Sequence, residues 1–279
     1  MSDGRDLGGF LQSRRALVDP DRAGIEGGPR RRVRGLRREE VARLAGISVE
    51  YYVRLEQGRA RHPSEEVLEA IAGALRLDEV ERSHLRDLSA ARRRPARRPA
   101  REERPRPELL RLLSSMDQVP ALIMNHRLDV PGWNHLAEQL YAGLDETVKG
   151  RNLARFAFLR PESRELFTDW EEVTRATVGQ LRLGAGRHPG DEALAALIGE
   201  LSIRSETFRT LWAGRDVRER SHGLKRFRHP VVGDLSLHYE NFELPGGTGP
   251  RLVIFTAEPG PSQQALRLLG SWTAPACHP

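Results

Sequence analysis

The stretch Leu36–Gly58, LRREEVARLAGISVEYYVRLEQG, decides how the first third of this chain folds. Its spacing predicts two short helices joined by a tight turn. Val41, Ala42, Leu44 and Ala45 place small and apolar side chains on one face of the first helix. Gly46 is expected to end that helix, because helices commonly close on a residue of positive φ, which glycine adopts without a Cβ clash. Ile47 fills the corner, and Ser48 is placed to cap the second helix by accepting a backbone N–H. There Tyr52 and Leu55 recur at helical spacing with Val53 beside them, leaving Glu50, Tyr51, Arg54 and Gln57 for the outside. A helix, a glycine turn and a helix with a polar outer face make the helix-turn-helix pattern. Its exposed side chains suit base edges and phosphates.

Charge supports that reading. Residues 1–107 carry 25 Arg and no Lys against 18 Asp and Glu, a net of +7, whereas the remaining 172 residues carry 20 basic and 21 acidic side chains. The basic excess therefore sits with the helix-turn-helix, where attraction to phosphate is useful. Codon bias would explain Arg over Lys but not this asymmetry. The candidate contacts to double-stranded DNA are Arg38, Ser48, Val49, Glu50, Tyr51, Arg54, Gln57, Arg59 and Arg61. Arg54, in the middle of the second helix, is the best base reader, since a bidentate Arg–guanine pair supplies ~1–3 kcal/mol of discrimination. Arg38, Arg59 and Arg61, at the periphery, suit the phosphate rails.

The chain organises outward from this unit. Leu7–Val18 reads as a preceding helix with Leu7, Phe10, Leu11 and Leu17 on one stripe, and residues 19–35 form a long Gly/Pro/Arg-rich connection. Ser64 opens a helix through Leu75, and Leu77–Ala91 is a fifth. Arg92–Pro107, with four prolines and eight arginines, is a solvated linker. Three parts are thus expected: residues 1–91, an all-α DNA-binding domain; 92–107, a linker; and 108–279, a second domain. In the last, a short helix at Leu109–Met116 precedes two strands in VPALIMN and HRLDVPGWN. Helices follow at His135–Leu144, Arg151–Leu159, Glu162–Leu183, Asp191–Ser202 and Ser205–Ala213. Three strands then come in GLKRFRHP, DLSLHYENFEL and RLVIFTA, with Leu235, Leu237 and Tyr239 alternating on one face, before a last helix at Gln263–Trp272. The fold class is α+β with two domains.

REEVARLAGIS…V.RLEQG resembles the phage-repressor-like XRE family of DNA-binding domains, with Arg38 standing where that family often has Gln. The blocks PALIMN…PGWN, FTDWEEVT, LSIRSETFRTLWAGRDV, K-x-F-x-HPVVG and FTAEPG…ALRLL resemble the MmyB-like ligand-binding domain attached to such regulators. The first resemblance implies that Arg14 reaches Glu56 across the core of the DNA-binding domain. The second implies a PAS-like sensor fold with an enlarged helical section and a pocket for a small, mostly apolar ligand of fatty-acid-like class. Trp133, Trp170, Trp212 and Tyr239 are candidates to line it, although tryptophans in such a domain are more often plain core. Arg175 and Lys225 are candidates for the cation that an acyl ligand would meet.

Enzyme chemistry finds no footing. His222, His229 and His238 lie on or beside predicted strands without metal-ligand spacing, and His229–Pro230 reads as a turn. No G-x-S-x-G elbow or Walker loop is present, and no cofactor is called for. A single cysteine, Cys277, excludes an intramolecular disulfide. No apolar run approaches membrane-spanning length, so a cytoplasmic, DNA-binding homodimer without membrane contact is expected. The rival expectation gives the second domain a protein-interaction or dimerisation role with no ligand. An apolar cavity would favour sensing, and a filled core with an exposed apolar patch would favour a partner.

Overall fold

The computed structural model describes residues 3–25, 35–60, 63–90, 105–141, 144, 150–214, 222–244 and 250–272. Residues 26–34 of the basic connection, 92–104 of the linker, and Arg61 lie outside them. Contacts divide the chain into two compact units, one centred on the first five helices and one on a sheet.

The helical unit comprises α1 (Asp3–Leu17), α2 (Arg38–Leu44), α3 (Val49–Glu56), α4 (Glu65–Ala74) and α5 (Glu79–Ala90). The α2–α3 corner forms as its residues require. Gly46 takes φ +65°, and the Ser48 hydroxyl accepts from the Tyr51 N–H at 3.2 Å. Ser64 caps α4 in the same way. Tyr52 and Leu55 are fully buried. On α1, Leu7, Phe10 and Leu11 are buried as expected, but Leu17 is 68% exposed and Val18 takes its place. Leu44, expected on the buried face of α2, is 41% exposed.

A buried carboxylate ties these helices together, and its partner differs from the one expected. Arg14 turns to α5, where it pairs with Glu81 at 2.8 Å. Arg15 instead meets Glu56, Nε to Oε1 at 2.6 Å, and donates a further bond to the Leu36 carbonyl. Arg38 closes the other side of the carboxylate at 2.6 Å, leaving the Glu56 side chain 2% exposed. The reason is helix phase. Gly8 lies against the Glu56 backbone, so close that an added Cβ would fall 1.9 Å from its carbonyl oxygen. Arg15 stands two turns beyond Gly8 on the same face. Arg14 stands on the Phe10 side, facing α5 and stacking over the Phe10 ring at 5.5 Å.

The second unit begins with α6 (Pro107–Ser114), then β1 (Ala121–Met124), β2 (Gly132–Trp133) and α7 (His135–Leu140). Helices α8 (Leu153–Leu159), α9 (Glu162–Leu166), α10 (Trp170–Arg187), α11 (Glu192–Arg204) and α12 (Glu206–Ala213) follow, the ends of α10 from Ala185 and of α12 from Leu211 being grouped with the helical unit. Strands β3 (His222–His229), β4 (Gly233–Glu243) and β5 (Arg251–Thr256) and helix α13 (Pro261–Trp272) complete the described chain. The strands form one antiparallel sheet ordered β2-β1-β5-β4-β3, and the fold class is α+β. Asn134 fixes the start of this sheet. Its Oδ1 accepts from the Ala121 and Ala137 N–H groups, and its Nδ2 donates to the Met116 and Val119 carbonyls. The helix expected over Glu162–Leu183 is interrupted. Phe167 forms a β-bridge with Phe227, and the Thr168 N–H donates to the Arg226 carbonyl, so backbone paired to β3 cannot continue a helix.

Strand alternation separates two faces of the sheet. Ala121, Ile123 and Leu252 join Leu113 of α6 in one buried cluster. Leu122, Met124, Lys225, Tyr239, Asn241, Val253 and Phe255 face the other way and line a cavity.

Double-mutant cycles test the assignment of the buried carboxylate. Arg15 and Glu56 should couple by ~1–2 kcal/mol, because removing Glu56 strands the Arg15 guanidinium whereas removing Arg15 leaves the carboxylate paired with Arg38 alone. Arg14 and Glu56 should couple negligibly. Hydrogen-exchange protection of the α3 amides reports both, and a reversed ranking would restore the Arg14 pairing.

Candidate functional site

Two surfaces carry chemistry. The first is the outer face of α3, set by its cap and by the burial of Tyr52 and Leu55. Val49, Glu50, Arg54 and Gln57 are exposed and Tyr51 is half-buried. Val49 is 45% exposed, unusual for a β-branched apolar side chain and suited to contact with a methyl group. Ser48 uses its hydroxyl on the cap. Arg59 is exposed just beyond α3. Arg38 keeps 48% of its side chain at the surface while Glu56 holds its Nε, so its guanidinium is positioned in advance. Burial, and then the Glu56 charge, push the Tyr52 phenol far above its ordinary range, so Tyr52 remains a neutral core residue.

The second is a cavity of about 80 Å³ between the inner face of the sheet and α10, within the second unit. Lys225 reaches into it from β3. Its Nζ lies 5.4 Å from the ring centre of Phe167, 5.8 Å from Tyr239 and Phe255, and 6.0 Å from Tyr141. The Tyr141 hydroxyl stands 3.5 Å from the amine. Thr177 and Gln180 of α10 and Asn241 of β4 supply polar groups to the wall, and among the described residues no Asp, Glu or His lines it. Burial pushes the Lys225 ammonium down to about 8, while burial, and then Tyr239, raises the Tyr141 phenol. The Tyr239 ring lies across from Gly223, where an added Cβ would come 3.0 Å from its hydroxyl oxygen. A larger residue at 223 would therefore displace the ring from its place beside Lys225.

Of the six residues read from the sequence for this pocket, the cavity takes Lys225 and Tyr239. Trp133 is covered by Arg151, stacked at 4.3 Å. Trp170 donates its indole N–H to the Ala157 carbonyl and carries Arg164 on its ring. An indole must satisfy its N–H when buried, and that need turns Trp170 away from the cavity. Trp212 is half-buried and outside the lining. Arg175 is exposed and pairs with Glu171 on its own helix. Sequence reading missed Tyr141, Phe167 and Phe255. Strand alternation in RLVIFTA pointed to Phe255, whereas Tyr141 and Phe167 sit at helix ends where no periodicity marks them. His229 proves structural: its Nε2 bonds the Gln139 carbonyl, and its Nδ1 accepts from the Val231 and Val232 N–H groups.

Among the described residues no helix is long and apolar enough to cross a membrane. Nor is there among them a group of three or more His, Cys, Asp or Glu placed to hold a metal ion. Residues 105–269 match the family model described as the MmyB-like transcription regulator ligand binding domain. Residues 6–85 match a model described as a helix-turn-helix domain. Comparison with curated proteins finds no match.

The amine has a thermodynamic signature. Lys225 binds its proton less tightly when folded than when unfolded, so its contribution to stability grows as pH rises from about 8 towards 10.5. Below that window the half-buried ammonium lowers stability by up to about 3 kcal/mol, less what solvent at its exposed side screens. Lys225→Met should therefore raise the melting temperature of the sheet unit at pH 7, and the difference from wild type should vanish near pH 10.5. A variant that melts lower than wild type at pH 7 would show that the amine is already paired.

Proposed function

Because the chain belongs to the MmyB-like transcription regulators, with a helix-turn-helix domain ahead of a ligand-binding domain, we propose how its two surfaces divide the work. The chain is a one-component, DNA-binding transcription regulator. The outer face of α3 enters the major groove, with Arg54 on a base edge and Arg38, Arg59 and Arg61 on phosphates. The cavity under the sheet receives a small, largely apolar ligand of fatty-acid-like class, its polar head turned to Lys225. The observation that carries this reading is a half-buried amine 3.5 Å from the Tyr141 hydroxyl and flanked by four aromatic rings, in a wall whose described residues include no carboxylate. A core closed for its own sake would not retain such a group, because an unpaired buried charge is costly. The strand order, with six described helices between β2 and β3, supports the PAS-like reading of this domain. The presence of a cavity supports sensing over a purely protein-binding role. Division at residues 1–91, 92–107 and 108–279, pairing of two copies on half-sites and a cytoplasmic location belong to the same proposal.

Fluorescence anisotropy on operator and random duplexes tests the first surface. Arg54→Ala should weaken operator binding by ~1–3 kcal/mol and leave random DNA nearly unchanged. Arg59→Ala should weaken both alike and reduce the salt slope by about one unit. Equal losses on both duplexes for Arg54→Ala would remove it from the base edges.

A further inference from the structure

The cation in the cavity is a lysine in a chain that otherwise avoids lysine. The sequence holds 43 arginines and two lysines, Lys149 and Lys225. If the cavity served only to hold a carboxylate, arginine would do so with two parallel hydrogen bonds and would keep its charge in any surroundings. What lysine offers and arginine cannot is a neutral primary amine. The geometry around Lys225 favours that form: the Phe167, Tyr239, Phe255 and Tyr141 rings flank Nζ, and among the described residues no acidic side chain lines the wall to hold a proton on it. One hydroxyl, that of Tyr141, stands 3.5 Å from the nitrogen. We propose that Lys225 captures a small apolar aldehyde or ketone in this cavity as a reversible imine. The proposal rests on the reading of this cavity as the ligand site and assigns it a carbonyl class of ligand.

The chemistry closes without an oxidant, a reductant or a cofactor. The Nζ lone pair adds to the carbonyl carbon, forming the C–N bond, while the carbonyl oxygen takes up a proton to give a carbinolamine. The C–O bond then breaks, the hydroxyl leaving as water with a second proton, and the nitrogen lone pair forms the C=N bond. Nitrogen loses two protons in all and the carbonyl oxygen gains them, so amine and carbonyl become imine and water. Tyr141, kept as a phenol by burial, is placed to give a proton to the departing hydroxyl and recover one from nitrogen. The depressed basicity of Lys225, to about 8, leaves a usable share of free amine at neutral pH. A cavity of about 80 Å³ suits a short chain; an engineered void of ~150 Å³ already holds benzene.

The test treats the full chain at pH 7.5 with butanal and cyanoborohydride, which fixes imines as secondary amines, and maps the product by peptide mass spectrometry. Lys149, the chain's other lysine, is the internal reference. Lys225 should be alkylated at least roughly tenfold faster than Lys149, as expected for an amine with a much larger neutral fraction. Tyr141→Phe should slow the reaction at Lys225 and leave Lys149 unchanged. Lys225→Arg and Lys225→Met, each checked for folding by its melting transition, should lose the adduct. Butanoate in the same buffer separates the two levels of the argument. If butanoate raises the melting temperature but Lys225 reacts no faster than Lys149, the imine is overturned and the cavity remains a ligand site. If neither butanoate nor butanal shifts melting and Lys225 stays unmodified, both readings fall.

Discussion

A charge removed from water must find a counter-charge, release its proton or leave the protein less stable. Each unit of this chain is arranged around one such group, and the two meet the requirement in opposite ways. In the helical unit the Glu56 carboxylate is enclosed by Arg15 and Arg38, each at 2.6 Å. The pairing joins α1, the start of α2 and the end of α3, so the outer face of α3 is presented on a fixed support. In the sheet unit the Lys225 amine is flanked by rings, with no carboxylate among the described residues of the wall. The first arrangement is complete in itself, as a scaffold for reading DNA needs to be. On the reading proposed above, the second is completed by its ligand.

How far the sequence revealed this depends on the kind of constraint involved. The α2–α3 corner was legible because each of its residues answers a local backbone demand: Gly46 a positive φ, Ser48 an unpaired N–H. The strands of the second unit were legible because period-two alternation marks both the element and its buried face. Arg14 was given the role of Arg15 on the XRE resemblance, and a family resemblance places a residue on a helix without fixing the phase in which that helix docks. That phase is set at Gly8, where α1 comes within a side chain's width of α3. A glycine admitted for close approach carries no periodic signature.

The cavity was less legible for a related reason. Its wall is drawn from four strands, from α10, and from Tyr141 and Phe167 at places where helices stop. Residues there are selected by long-range packing, as in the bridge from Phe167 to Phe227 that interrupts the helical run after Leu166. The tryptophans misled because size suggested a pocket lining. An indole also carries an N–H that needs an acceptor and a face that attracts guanidinium, and Trp133 and Trp170 follow those demands. Lys225 was reachable from sequence as one of only two lysines, on an inward position of a predicted strand.

The same amine bears on how a ligand could act on DNA binding. A ligand shifts an equilibrium between two conformations only by the difference in its affinity for them. A cavity lined solely by hydrocarbon would offer little such difference, since modest movements of its wall change buried area gradually. A buried amine is more discriminating, because its free energy depends steeply on whether water or a partner reaches Nζ. Any state of the sheet unit that opens the wall at α10, where Thr177 and Gln180 border the cavity, lets water solvate the ammonium and is favoured while the cavity is empty. A ligand that pairs with or neutralises the amine removes that advantage and favours the closed wall. On the proposed reading, the cost of burying Lys225 would in this way be converted into a preference between conformations.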